Sequence, residues 1–250
     1  DARASDSSLR TLGLRQDLLD FSSNDYLGFS SSKKMYNKAC SILKQHNYQA
    51  NGATGSRLLT ANHPLYLDTE KQIATFHNTP SALIFNSGYD ANIGFFSSVP
   101  QRGDVILYDA LCHASIRDGI AMSHAKGHKF AHNNLQGLEA LLEAQNTPGK
   151  IRPEIYVVTE AVFSMDGDRP ALKAVASLCK KYSAYLIIDQ AHATGVIGPK
   201  GRGLVQELGL EDLVFARIVT FGKALGCHGA AILGSCELKS YLINFARSFI

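Results

Sequence analysis

The chain has 250 residues, 45% hydrophobic and 19% charged, with a net charge of +3 from 25 Lys and Arg against 22 Asp and Glu. That balance suits a globular chain able to bury a core of its own, and it excludes disorder and coiled coil. The charges are scattered instead of forming basic blocks that follow a phosphate backbone, and apolar runs such as 82–85 and 185–188 fall far short of the ~20 residues of a membrane span, so neither nucleic acid nor a bilayer is an expected partner.

Residues 1–12 carry charge and serine but no apolar stretch of signal-peptide length, and the five cysteines include no CxxC pair. Both features point to reduced thiols and a cytoplasmic setting. Residues 1–32 read as a polar arm leading into an Asn/Asp/Gly-rich loop, and 33–250 as one continuous α/β domain. A strand at 82–86 is followed by a helix at 89–99, a strand at 104–108 by a helix at 114–125, and a further helix at 137–144 places Leu138, Leu141 and Leu142 on one face. A strand at 154–159 precedes a helix at 170–182, whose Pro170 costs no hydrogen bond in the first turn, and the apolar strand 184–189 comes next. Strands at 213–220 and 229–233 and a helix at 237–246 complete the series. Such alternation predicts βαβ units and a mostly parallel central sheet flanked by helices. The pattern stops near Phe249 and Ile250 with no cap, which predicts that Tyr241, Leu242, Phe245 and Phe249 pack against chain beyond that point.

Polar residues gather just past the carboxyl ends of the predicted strands, where open α/β sheets hold their ligands. Ser87 and Gly88 follow the first strand, His113 the second and Ser164 the third; Asp189 and His192 end the fourth, and Thr220 and Lys223 the fifth. Taken singly each has a bland reading. Ser and Gly cap many helices, a lone lysine after a strand is ordinarily a surface lysine, and the two histidines lack a second ligand at short spacing, so no metal site is expected. The run Asp189, Gln190, Ala191, His192 is no helicase box, because no GxxxxGK[ST] loop accompanies it. Taken together they form a set with one use. A partly desolvated lysine amine attacks an aldehyde, a strand-end carboxylate holds a ring-nitrogen proton, and a Ser-Gly turn opening a helix cradles a phosphate, which are the demands of pyridoxal 5'-phosphate (PLP).

Six segments occur in a fixed order: 21–28 (FSSNDYLG), 55–59 (GSRLL), 113–119 (HASIRDG), 159–168 (TEAVFSMDGD), 189–198 (DQAHATGVIG) and 219–226 (VTFGKALG). In this the chain resembles, over nearly its whole length, the α-oxoamine synthases of the aspartate-aminotransferase fold. The resemblance implies the large domain of a fold type I PLP enzyme, with a small C-terminal domain beyond the chain given. It implies that Lys223 is the Schiff-base lysine, Asp189 the partner of the pyridine nitrogen, His113 the residue stacked on the ring and His192 the one bonding its phenolic oxygen. Ser87, Gly88 and Tyr89 would form the phosphate-side turn, Thr220 a phosphate ligand, Ser164 a cofactor neighbour and Asn24 a substrate contact shared with His113. Gln190 stands where the family usually has an acid, but next to Asp189 on a strand its side chain points the other way. The implied reaction is decarboxylative condensation of an amino acid with an acyl thioester on CoA or acyl carrier protein, in a homodimer with the active site at the subunit interface. Residues 244–247 favour the branch that uses L-alanine and a pimeloyl group. Glycine acetyl transfer and serine palmitoyl transfer stay open as sibling reactions; a non-catalytic subunit on the same scaffold is also open, although such subunits typically lack the lysine.

Overall fold

The computed structural model describes residues 5, 9–10, 12, 19–49, 52–53, 55–145 and 152–250. Two helices precede the sheet. Helix α1 (Lys33–Gln45) is capped by the Ser32 side chain, which accepts from Met35 N–H, and α2 (Pro64–Phe76) by His63, with Pro64 in the first turn. Neither belongs to the predicted elements; α1 carries an apolar stripe at Met35, Ala39, Ile42 and Leu43 yet buries none of its residues in this chain. The remaining elements alternate. They are β1 (Ser81–Phe85), α3 (Gly88–Ser98), β2 (Val105–Asp109), α4 (Ala114–Ala121), β3 (Lys126–Phe130), α5 (Leu135–Ala144), β4 (Ile155–Glu160), α6 (Leu172–Lys181), β5 (Tyr185–Asp189), α7 (Leu204–Glu207), β6 (Ala216–Thr220), β7 (Ala230–Gly234) and α8 (Cys236–Phe245).

All seven strands belong to one sheet, in the order β1-β7-β6-β5-β4-β2-β3. Only β7 runs against its neighbours, pairing antiparallel with both β1 and β6. The inner strands β4, β5 and β6 are buried at nearly every position because helices cover both faces, as a parallel sheet requires. On one face Phe95 and Phe96 of α3, Ile116 of α4 and Leu242 of α8 pack on Ile106, Val158 and Ile218. On the other, Leu138 and Leu142 of α5 and Val175 and Cys179 of α6 pack on Leu107, Val157 and Leu186. Each such side chain contributes about 1.5–3 kcal/mol by leaving water. Helices α3 and α4 approach so closely that a Cβ on Gly119 would lie 2.9 Å from Asn92 O and 3.0 Å from Phe96 Cβ. The glycine of the HASIRDG segment therefore serves packing.

Three expectations are corrected. Helix α4 ends at Ala121 instead of 125, and Lys126–Phe130 forms an edge strand that polarity hides, four of its five residues being exposed. The strand expected from 213 starts at Ala216, because Glu211–Leu213 makes a short 3₁₀ turn. Helix α8 closes at Phe245, and the chain then turns back over Arg247–Phe249. Of the four apolar residues expected to await further chain, Leu242 is buried, Tyr241 and Phe249 pack on the same core, and the Phe249 ring meets Phe85 edge-on at 5.6 Å. Phe245 alone stays exposed.

Candidate active site

The carboxyl ends of β1, β2, β4, β5 and β6 open onto one cavity of about 140 Å³ whose lining includes Gly88, Tyr89, His113, Asp189, His192, Thr220 and Lys223. Larger cavities of about 470 and 590 Å³ lie elsewhere, and neither is lined by Asp189 or Lys223.

Asp189 is almost fully buried. Its Oδ2 accepts from Asn92 Nδ2 at 3.0 Å and its Oδ1 from Ala191 N–H at 2.9 Å; among the described residues no cation pairs with it. Neutral donors alone compensate poorly for burying a carboxylate. Asn92 also donates to Ser115 Oγ at 3.0 Å, Ser115 Oγ lies 2.8 Å from His113 Nδ1, and the Ser115 N–H donates to that same nitrogen at 3.2 Å. A continuous chain of hydrogen bonds thus joins Asp189 to the His113 ring, whose Nδ1 also caps α4. The His113 N–H donates to Glu160 Oε1 at 2.6 Å. Glu160 stands directly opposite Asp189 in the β4/β5 register. Burial first, and then the neighbouring Asp189, push the Glu160 carboxyl up to about 8, so at neutral pH it keeps its proton.

Lys223 is half-buried on the turn after β6, across the cavity from Asp189. Thr220 Oγ1 donates to Gly229 O and accepts from Gly222 N–H, both at 3.3 Å. A Cβ on Gly88 would lie 3.7 Å from that hydroxyl, so the missing side chain keeps open the space between the start of α3 and Thr220. Ser87 caps α3 by accepting from Asp90 N–H at 3.0 Å, and its hydroxyl donates to Asp90 Oδ2 at 2.9 Å. Its side chain is thus committed to the helix, and it does not line the cavity. Tyr89 lines the rim and donates to Asp118 Oδ2 at 2.8 Å, which raises its phenol above the usual range.

His192 lies between Lys223 and the 24–30 segment. Burial first, then the charge of Lys223, lower its imidazole to about 4 against the opposing pull of Asp189, so the ring is neutral. Its Nδ1 lies 2.7 Å from Tyr26 Oη. Asn24 does not line the cavity; its Oδ1 accepts from the Tyr26 hydroxyl at 3.1 Å. Ser164 sits exposed in the turn after β4, outside the lining. Gln190 turns away from Asp189, its Oε1 accepting from Val205 N–H at 3.1 Å to anchor α7. Sequence reasoning misses Asn92, Ser115, Glu160 and Tyr26. The helical spacing of Asn92, four residues after Gly88, is a usable signal for the first.

Residues 16–250 match the family of class I and II aminotransferases, and the chain belongs to it. The fold is that of the type I PLP-dependent enzymes. Its relatives are α-oxoamine synthases. An 8-amino-7-oxononanoate synthase from Emericella nidulans is 47% identical, the match covering 93% of this chain and 59% of that protein. Among solved structures, a serine palmitoyltransferase from S. paucimobilis with bound PLP-myriocin aldimine aligns with a TM-score of 0.83 at 29% identity, covering 91% of this chain and 56% of the other. An 8-amino-7-oxononanoate synthase from Francisella tularensis aligns with a TM-score of 0.74 at 29% identity, covering 94% and 63%. The chain spans somewhat more than half the length of these relatives.

Proposed function

We propose that the chain carries the cofactor site of an 8-amino-7-oxononanoate synthase, which condenses L-alanine with a pimeloyl thioester on CoA or acyl carrier protein, releases CO₂ and the free thiol carrier, and so serves biotin biosynthesis. The observation that carries this reading is a buried carboxylate, Asp189, that no cation among the described residues pairs with and that faces the same cavity as Lys223. The residues present suit PLP. Asp189 lacks the positive charge that a protonated pyridine nitrogen brings, and the space kept by Gly88 before Thr220 admits a phosphate at a helix N-terminus. When bound, PLP supplies an electrophilic carbon for an amine and a ring that withdraws electrons.

The protein's own part is positioning and proton handling. Asp189 would hold a proton at the ring nitrogen of a bound cofactor, and the Asn92–Ser115 hydrogen bonds fix both its carboxylate and the His113 ring, which would serve as the stacking residue. Lys223 Nζ takes the α-proton of the amino acid. His192 would bond the phenolic oxygen, and Thr220 with the 88–89 turn would hold the phosphate, all of them lining the one cavity. The proposal extends to Asn24 as a substrate contact and Ser164 as a neighbour of the cofactor, on family resemblance. It extends also to an arm of residues 1–32 before a PLP-binding domain of 33–250, a homodimer with its site at the subunit interface, and a cytoplasmic location. Among the described residues no helix is long and apolar enough to cross a membrane.

The test is borohydride reduction of the full-length protein with PLP, followed by peptide mapping and by thioester consumption with alanine, glycine or serine. Label at Lys223 with alanine-dependent turnover is expected. Labelling elsewhere overturns the site; turnover with serine or glycine instead moves the protein to a sibling reaction, and absence of both label and turnover makes it the non-catalytic subunit.

A further inference from the structure

Thr159, one residue before Glu160, projects to the opposite face of β4, the side on which α5 and α6 pack. It is 2% exposed, yet among the described residues its hydroxyl has no hydrogen-bond partner. The side-chain oxygen of Asn133 is in the same condition. The Asn133 amide is oriented by its other end: Nδ2 donates to Asp168 Oδ2 at 2.6 Å, and since a carboxylate only accepts, Oδ1 is the atom that turns away. Both residues line one cavity of about 10 Å³, together with Asp109 and the apolar Leu138 and Val175. That is the room of a single water molecule.

The third polar wall has capacity to spare. Asp109 Oδ1 accepts twice, from Leu111 N–H and His132 Nδ1, whereas among the described residues Oδ2 accepts from Asn133 N–H alone, so a lone pair remains on Oδ2. A buried hydroxyl and a buried amide oxygen left unpaired are each costly, and here both border one water-sized space beside an acceptor. We propose that this cavity is the binding site of one ordered water, which accepts from the Thr159 hydroxyl and donates its two protons to Asn133 Oδ1 and Asp109 Oδ2. Three hydrogen bonds are the usual complement of a buried water. The ligand is neutral, because His132 already lies 2.8 Å from Asp109 as its partner and an anion would face that carboxylate. The water joins the end of β2, the end of β4 and the turn entering α5. It thereby completes the polar contacts through which Asp109 and His132 hold Asp168, at 2.8 Å from His132 Nε2, and with it the turn after β4. Glu160 faces the other side of the sheet, so this site is independent of the cofactor reading.

The experiment begins with a crystal structure of the full-length protein at a resolution that shows ordered solvent. One density peak within hydrogen-bond distance of Thr159 Oγ1, Asn133 Oδ1 and Asp109 Oδ2 is expected; a dry cavity, or these side chains paired directly with one another, overturns the proposal. Stability then separates a bonded hydroxyl from an unpaired one. Thr159→Val removes the hydroxyl at nearly constant volume and should lower the folded-to-unfolded ratio roughly threefold to tenfold in a denaturant titration, the worth of one hydrogen bond. A hydroxyl without a partner gives the opposite sign, since a methyl in its place relieves a desolvated polar group. A variant as stable as wild type, or more so, therefore also overturns the proposal. Thr159→Ser keeps the hydroxyl, and its crystal structure should retain the water; loss of the water there would take the Thr159 hydroxyl out of the site.

Discussion

Asp109 closes β2 and Asp189 closes β5, two strands separated in the sheet by β4 alone, and both carboxylates are buried. Their surroundings differ. Asp109 accepts from His132 Nδ1, Leu111 N–H and Asn133 N–H, each at 2.8 Å, and the other nitrogen of His132 reaches Asp168 Oδ2 at 2.8 Å. Burial lowers the affinity of His132 for its second proton, but hydrogen bonds to the two aspartates outweigh it, and the imidazole is raised above its ordinary value. Asp109 is a satisfied anion that staples the 163–168 turn to the sheet. Asp189 has neutral partners and an open cavity. Two aspartates at the same level of one sheet thus differ in whether a cation is built in, which under the proposed function separates a structural carboxylate from a cofactor-binding one where position alone does not.

The widest gap between them should appear on replacing Asp189. Asp189→Asn keeps the bond geometry but cannot hold a ring-nitrogen proton, so thioester consumption by the full-length protein should fall on the order of 10²–10³-fold. The melting temperature without PLP should be unchanged or slightly higher, since an under-compensated buried charge is removed. Retained turnover would take Asp189 out of the chemistry.

Asp109→Asn should do the reverse. Breaking the buried pair with His132 costs about 2–4 kcal/mol, read as a lower denaturant midpoint at pH 6. The sign of the pH effect follows from the raised imidazole: the stabilisation is complete below the unfolded histidine value near ~6.5 and is lost as pH rises through the folded one. The stability of wild type should therefore decline across that window, and the difference between wild type and variant should narrow. A gap that stays constant with pH would mean that His132 is not charged.

Glu160→Gln should have the smallest effect and sharpens the comparison most. At neutral pH the carboxyl is already protonated, so the amide imitates it and turnover should change only a few-fold. The folded chain binds this proton more tightly than the unfolded chain, so wild-type stability falls as pH rises from about 4.5 to about 8. The variant should lose that slope while keeping the decline due to His132. Identical pH–stability curves would show that Glu160 is ionised at neutral pH.

The sequence carries the site well where each residue follows a strand-length apolar run: Gly88, His113, Asp189, Thr220 and Lys223 are found because the strands before them are unmistakable. It carries the site poorly where placement depends on pairing. Glu160 meets Asp189 only through the β4/β5 register, and Tyr26 meets His192 only through chain folded back over the sheet. Asn92 looks like a solvent-facing helical residue until α4 covers it. Among the strands, β3 escapes because Lys126, His128 and Lys129 guard an exposed edge, and nothing in the run Ala-Ala-Ile-Leu-Gly of β7 states its direction. Ser87 presents the opposite difficulty, since a hydroxyl that caps a helix, as this one does, and one that binds a phosphate look alike in sequence.

The position of β7 bears on how the protein is made. Strand β1 has no partner in the sheet except β7, whose residues emerge from the ribosome about 150 positions later, as the pairing of Ser81 with Gly234 records. Until then β1 and the turn at Gly88 are an unpaired edge, whereas the five strands β2 to β6 can already assemble in parallel. The sheet is therefore completed by one hairpin-like strand that brings the 87–88 turn up to Thr220, and a nascent chain interrupted before residue 230 would present five paired strands with the Gly88 side of the cavity still open.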